Sequence, residues 1–324
     1  MIFLKKTYAM LYVYSYIKNK MITDIKDILV GHWTDLDNKT GCTALISKNP
    51  LVASCDIRGG APGTRDIALL DPLATAQSIN GILLSGGSAF GLDATSGVVK
   101  FLEDQKIGLK FANYHPIPLV PSAVIFDLSV GSSKVKPRLE EGYIAAKNAT
   151  KKLILGNVGV GTGCTVGKIL GTKYAMKGGI GSHTIVFNDG VMVSSLVAVN
   201  SLGSIYDPDT SEILAGPNKK GQILDTIDLL LKSTTPKTRL ENTTIGIVAT
   251  NASISKLDCK KLAMGANDGL AMSVRPSHTS SDGDLFFGIS TSEKETKISI
   301  EQLYAASVRS TYKAIINAIK ITNK

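Results

Sequence analysis

Apolar positions along the chain recur with two periods, and the switches between them mark out the elements. The short apolar runs Gly41-Cys42-Thr43-Ala44-Leu45-Ile46 and Leu51-Val52-Ala53-Ser54-Cys55, each bounded by polar turns, read as strands. Asp71 before Pro72 gives an N-cap with proline at the first helical position, which predicts a helix over 72–80. The strand Ile82-Leu83-Leu84 ends at Ser85-Gly86-Gly87. From about Ala89 to Asp104 the residues Leu92, Val98, Val99 and Leu102 fall on one helical face. Val124-Ile125-Phe126 reads as another buried strand, and 137–152 as a helix with Tyr143, Ile144 and Ala146 inward.

Thr184–Phe187 and Val191–Val199 form the next two strands, joined through an Asn188-Asp189-Gly190 hairpin turn. Residues 205–242 lose both periods. They hold Pro208, Pro217 and Pro236 among Lys, Thr and Asp, with one helical stretch at Leu224–Leu231, and are the best linker candidate. An abrupt apolar strand, Thr243 to Thr250, follows at once. Helices at about 254–271 and 298–320 end the chain, and 277–290 between them holds a polar loop and a strand. Strands and helices mix without strict βαβ alternation, so the pattern predicts an α/β protein of sheets covered by helices and not a Rossmann fold.

Composition sharpens this picture in three places. The chain is 44% hydrophobic and 19% charged over 324 residues, ample for a large core. Its net charge of +9 is spread along the sequence in small knots (Lys151-Lys152, Lys219-Lys220, Lys260-Lys261), which describes a solvated surface and not a nucleic-acid footprint. Cys42, Cys55, Cys164 and Cys259 form no CxxC pair, and His32, His115, His183 and His278 form no HxH or HExxH unit, so no metal or other cofactor is expected. The opening MIFLKKTYAMLYVYSYIKNK has a basic start and an apolar middle but no small-residue cleavage site. Residues 1–20 are therefore read as an extension before a functional start at Met21, in a cytoplasmic protein, with an export signal as the alternative. No later run reaches the ~20 apolar residues of a membrane span.

Glycine-rich segments raise a nucleotide reading that fails on spacing. Gly167-Lys168 resembles the end of a P-loop, but Thr162 stands where the first glycine belongs and Ile169 where Ser or Thr must follow. The dinucleotide pattern fails as well, because Gly167 comes one residue late after Gly161-x-Gly163.

The junction at Asn242-Thr243 carries more. A threonine hydroxyl is a poor nucleophile without an adjacent base. An N-terminal threonine has one in its own α-amine, whose ordinary pKa is about 7.7–8.0. Such a terminus is made by cutting a precursor: the hydroxyl attacks the preceding carbonyl, the acyl group moves from N to O, and water cleaves the ester. A linker ending in Asn242 before a rigid strand has the form this requires, although a threonine in this position also simply starts a strand.

The motifs RGGAPGTRD (58–66), LSGGSAFGLDATSGV (84–98), GVGTGCTVGK (159–168), VAVNSLG (197–203), NTTIGIVATNA (242–252) and SDGDLFFGIS (281–290) occur in this order. Together they closely resemble the DmpA family of self-processing aminopeptidases, which includes L-aminopeptidase/D-esterases, β-peptidyl aminopeptidases and nylon-oligomer hydrolases. The similarity runs from about Ile22 to Ala318 and is greatest to the branch cut between Asn and Thr. It implies one αββα four-layer sandwich over 21–324, of the N-terminal-nucleophile type, processed into an α chain ending at Asn242 and a β chain beginning at Thr243. It also implies a hydrolase of small peptides or peptide-like amides that assembles as a homo-oligomer, for instance a tetramer.

By motif position, Thr243 is the implied nucleophile and its freed amine the base. Asn200 is the implied oxyanion donor. Asp282 and Asp284 are implied to hold and tune the Thr243 amine and hydroxyl, and Lys168 is the implied active-site cation. Read without the resemblance, Asp282 and Asp284 also suit a turn around Gly283, Asn200 a turn cap, and Lys168 a strand end. Phe126 departs from members that place a tyrosine hydroxyl near the oxyanion. Two other functions stay open: an acyltransferase of the ornithine acetyltransferase type, and a binding homologue without catalysis.

Overall fold

The computed structural model describes residues 20–232 and 242–324. Its strands are β1 (Leu29–Asp35), β2 (Thr40–Ile57), β3 (Thr64–Arg65), β4 (Ser78–Ser85), β5 (Ser122–Val124), β6 (Thr165–Val166), β7 (Met176–Lys177), β8 (Gly179–Val186) and β9 (Met192–Asn200). They continue with β10 (Ser204–Tyr206), β11 (Ile213–Ala215), β12 (Asn218–Lys219), β13 (Gln222–Ile223), β14 (Thr243–Ala252), β15 (Val274–Arg275) and β16 (Leu285–Lys294). The helices are α1 (Ala94–Asp104), α2 (Leu139–Lys147), α3 (Thr226–Lys232), α4 (Lys256–Ser273) and α5 (Ile300–Thr322).

Nine strands make one hydrogen-bonded sheet, in the order β3-β5-β4-β2-β16-β14-β9-β8 with β1 paired to β2. The long β2 belongs to two halves. Its first part pairs with β1 and β4, and its last part pairs with β16 after the register shifts between Ile46 and Leu51. Side chains alternate across a strand, so each half presents two faces, and the apolar clusters show what covers each face. Cys42, Ala44 and Ile46 of β2 pack with Ala94, Val98 and Leu102 of α1 and with Ala145 and Ala146 of α2. Val197, Val199, Val248 and Phe286 pack with Leu262, Leu270, Ile315 and Ile319 of α4 and α5. The intervening positions, among them Leu45, Ile82, Leu84, Ile245, Ile247 and Phe287, meet one another in a third cluster between the two halves. Three apolar interfaces separating four layers make the molecule an αββα sandwich.

β14 is buried along its whole length because both of its faces are covered, one by the opposing half-sheet and one by helices. This explains its near-continuous apolar run. At the C-terminal end, Ser255 caps α4 and Ser299 forms a capping box with Gln302 at the start of α5.

Two predicted features are corrected. Residues 72–80 do not form a helix. The Asp71 side chain accepts the Leu73 amide at 2.8 Å, but only a turn follows, because pairing with β2 recruits the chain into β4 from Ser78. Residues 205–232 are not a linker: they form β10 to β13 and α3, with β10 held between β11 and β15. The remainder of the expected linker, 233–241, lies outside the described residues, as do residues 1–19 of the N-terminal extension. Among the described residues no helix is long and apolar enough to cross a membrane.

Candidate active site

β14 and β16 run parallel and start at the same edge of the sheet, and the antiparallel β9 ends there. Register sets Thr243 directly opposite Asn200, and Asn242 forms a parallel bridge with Asp282. The first residue of one strand, the last residue of its neighbour and the loop leading into β16 therefore converge on one point. Asn200, Lys168, Asn242, Thr243, Asp282 and Asp284 are all buried there.

The Thr243 hydroxyl donates to the carbonyl oxygen of Asn242, and the same oxygen accepts the Gly283 amide at 3.0 Å. The carbonyl that Thr243 would attack is thus polarised by a backbone donor from the SDGD segment. A carbonyl receiving two donors at a water-poor site is primed to take negative charge onto its oxygen.

Asn200 is fully buried at the end of β9, with its amide orientation fixed from both sides. Its Oδ1 accepts the Thr165 amide at 3.0 Å and the Lys168 ammonium at 2.7 Å, and its Nδ2 donates to the Phe126 carbonyl at 3.1 Å. Lys168 Nζ also donates to the Asn200 backbone carbonyl at 2.9 Å. Gly167 supplies the left-handed turn (φ 72°) that brings Lys168 back over β9, a conformation open to glycine at little cost. Phe126 meets the site through its main chain, at the position where the missing tyrosine was noted.

The two aspartates flank Gly283 and reach different partners. Asp284 Oδ1 accepts the Thr244 amide at 2.7 Å and Oδ2 the His278 amide at 2.9 Å, so Asp284 braces the strand one residue beyond Thr243. Asp282 Oδ2 accepts the Thr279 amide at 2.8 Å. Burial, and then the charge of Asp284, push the Asp282 carboxyl up to about 6, against which Lys168 acts in the opposite sense. In this uncut chain the carboxylates hold Thr244 and their own loop, whereas the motif positions implied contact with the Thr243 amine and hydroxyl.

The remaining motifs form the walls. Arg58 and Gly59 donate their amides to the Asp284 carbonyl, both at 3.0 Å, and Ala61 donates to the Asp282 carbonyl at 2.8 Å. A Cβ on Gly59 would stand 2.3 Å from the Asp282 oxygen, so only glycine permits this approach. In the SGGS segment, Gly87 donates to Asp127 Oδ1 at 2.7 Å, and Thr40 donates to Asp127 Oδ2 at 2.7 Å, next to Phe126. The motifs name the side chains that converge here, but neither the Gly283 amide nor His278, which stand among them. A backbone donor leaves no residue-type signal, although the glycine between two aspartates does mark where one can approach. Among the described residues no group of three or more His, Cys, Asp or Glu side chains stands together as a metal site would.

The model of peptidase family S58 matches residues 20–324. An uncharacterized aminopeptidase of Mycobacterium leprae is 38% identical over 299 residues, covering 85% of this chain and 79% of that protein. The 6-aminohexanoate-oligomer endohydrolase of Paenarthrobacter ureafaciens is 27% identical over 278 residues, covering 83% of this chain and 74% of its own. Among solved structures, the L-aminopeptidase D-Ala-esterase/amidase of Ochrobactrum anthropi superposes with a TM-score of 0.68 at 18% identity, covering 93% of this chain and 86% of that one. Its fold is described as a variant of the Ntn hydrolase fold. A β-aminopeptidase of Burkholderia sp. gives a TM-score of 0.66 at 18% identity, with the same coverage of each chain. These two likenesses place the present chain in the Ntn hydrolase fold.

Proposed function

The chain belongs to peptidase family S58, and on that premise we propose that it cleaves itself between Asn242 and Thr243 and then hydrolyses small peptides or peptide-like amides with Thr243 as nucleophile. One observation carries the reading: the Thr243 hydroxyl and the Gly283 amide both donate to the Asn242 carbonyl, at the start of a strand that cannot shift.

In processing, Oγ1 of Thr243 adds to the Asn242 carbonyl carbon, and the charge that develops on the oxygen falls to the Gly283 N–H. The Oγ1 proton passes to the departing nitrogen as collapse breaks the C–N bond, leaving Asn242 as an ester on Thr243 and a free α-amine. Water then hydrolyses the ester and releases the Asn242 carboxylate. In turnover the amine takes the proton of Oγ1 as it attacks a substrate carbonyl, returns it to the leaving amine, and water resolves the acyl-enzyme. The Asn200 amide, held in one orientation by Lys168 and the Thr165 N–H, supplies the second donor to the oxyanion. Lys168 acts on the reaction through Asn200, and its charge also keeps one of two crowded carboxylates ionised. The names of the relatives, aminopeptidase and 6-aminohexanoate-oligomer endohydrolase, support an amide substrate and favour hydrolysis over acyl transfer. The processed protomers assemble as a homo-oligomer.

Intact mass spectrometry and N-terminal sequencing of purified protein test the reading. We expect two chains, the smaller beginning Thr-Thr-Ile-Gly. A chain still whole after long incubation at neutral pH would refute self-processing, and a small chain beginning at Thr244 would move the nucleophile.

A further inference from the structure

We propose that His278 is a positioning residue for this site, which as an imidazolium pairs with Asp284 and so holds Asp284 ionised and aimed at the start of β14. The inference rests on the self-processing reading and adds a residue to it.

His278 is a non-glycine residue in the left-handed region, at φ 56°, in the loop before β16. Such a conformation persists where surroundings over-determine it, and three contacts do so here. Its backbone N–H donates to Asp284 Oδ2 at 2.9 Å, its ring Nδ1 lies 3.1 Å from that same oxygen, and Nε2 lies 3.3 Å from the Asn267 carbonyl of α4. Nε2 therefore faces an acceptor, and Nδ1 lies in contact with a carboxylate oxygen. In the neutral Nε2–H tautomer, the Nδ1 lone pair would oppose a carboxylate inside a buried site. Among the described residues Nδ1 finds no hydrogen-bond partner, the carboxylate oxygen at 3.1 Å lying off the direction of an Nδ1–H bond. The doubly protonated ring removes that conflict: Nε2–H donates to the carbonyl, and the positive ring lies against the carboxylate as a charge contact.

The consequence reaches the nucleophile in two bonds: His278 fixes Asp284, and Asp284 Oδ1 holds the Thr244 amide. Other charged groups belong to the loop of His278 and to the segments bonded to it. From its own loop comes Asp282. From the end of β2 comes Arg58, which is paired with Asp56 at 2.9 Å and with Asp268 of α4 at 2.5 Å. The positive charge of Arg58 is committed to those two carboxylates and that of Lys168 acts on Asp282, while His278 lies against Asp284.

The test has two arms. The first follows the histidine ring resonances by NMR in the full-length Thr243→Ala chain, which stays whole, with His278 identified by its loss in His278→Asn. At neutral pH the ring nitrogen shifts should be those of an imidazolium, and adding Asp284→Asn should move them toward those of a neutral ring. Neutral-ring shifts in the Thr243→Ala chain, or shifts unchanged by Asp284→Asn, would overturn the ion pair. The second arm measures self-processing in chains that retain Thr243. His278→Ala should slow the cut at least about tenfold, and His278→Asn, whose amide N–H stands near the place of Nδ1–H, should recover most of that loss. Equal slowing in both variants with a matching fall in melting temperature would overturn positioning in favour of plain support of the loop, and an unslowed His278→Ala would overturn it outright. If the unmutated chain is never cut, the self-processing reading fails, and the NMR arm still decides the pair.

Discussion

The substitution that isolates the backbone donor is Gly283→Ala. Gly283 is not among the residues with positive φ, so alanine meets no backbone strain there. The cost is one of space. The added Cβ would stand 2.8 Å from Thr243 Oγ1, 2.9 Å from the Ala61 oxygen and 3.3 Å from Thr243 Cγ2. The first two distances lie below any ordinary carbon contact, so either the hydroxyl or the loop must yield. The loop is poorly able to do so, because the Arg58, Gly59 and Ala61 amides are bonded to its carbonyls. Overpacking of this kind costs about 1–3 kcal/mol, which at about 2–4 °C per kcal/mol lowers the melting temperature by several degrees. Displacing an oxyanion donor costs about 2.7–4 kcal/mol in the transition state, or roughly 10²–10³ in rate. We therefore expect Gly283→Ala to fold and to process about 10²–10³ times more slowly, measured as the rate at which the fragment beginning at Thr243 appears. If the folded variant processes within about threefold of the parent, the Gly283 N–H is not the donor and the loop is soft.

Three further outcomes follow from the same geometry. Asn200→Ala should slow turnover by about 10²–10³ and, because it removes one acceptor of the Lys168 ammonium and the acceptor of the Thr165 N–H, should also destabilise the fold by about 1–3 kcal/mol, read by single-turnover kinetics and denaturant unfolding. Asp282→Asn removes a carboxyl that folding raises from 3.8 to about 6, a stabilising term present at low pH and lost as pH rises through 6. The melting temperature of the parent should therefore gain on that of the variant as pH falls from about 7.5 to 5, and a constant gap would contradict the assignment. Lys256→Met strips the cation from the carbonyls of Leu69, Ala74 and Ala76, bonded at 2.9, 3.2 and 2.8 Å, and should lower stability while the folded fraction processes at the parental rate.

Much of the fold was legible because strand alternation and helical spacing survive in the segments that make the core. β14, α4 and α5 lie within a few residues of their predicted places, and the hairpin of β8 and β9 turns at Gly190 with φ 83° as its Asn-Asp-Gly sequence requires. The misses share one cause: long-range pairing overrode local signals. Asp71-Pro72 is a sound helix start, yet the sheet takes the chain before a helix can propagate. Residues 205–232 look like linker because their strands are two or three residues long, too short for any period to register. At the site, side-chain chemistry came through in the motifs, whereas the partners of each group did not. Nothing in SDGD says that Asp284 grips the Thr244 amide while Asp282 caps its own loop, since that choice depends on register between β14 and β16.

On the proposed reading, the electrostatics of the edge also give the cut a direction. The uncut bond is neutral, whereas its hydrolysis creates a carboxylate on Asn242 and an ammonium on Thr243. The new carboxylate is born at a residue bridged to Asp282, with Asp284 one residue past Gly283, so three anions would crowd one buried edge. Like charges at such range in a poorly solvated site repel strongly, and the α-chain end is the only one of the three able to leave. The ammonium remains, because β14 is pinned along its length, and it offers the aspartates a cation where a neutral amide stood. Cleavage should thus set a cation against the burial and the Asp284 charge that together raise Asp282. We expect its carboxyl to titrate lower in the processed protein than in the uncut Thr243→Ala chain, measured by carboxyl-carbon NMR of labelled aspartate. Equal titration in both would mean that the freed amine lies out of reach of Asp282, and the departure of the α-chain end would then need another cause.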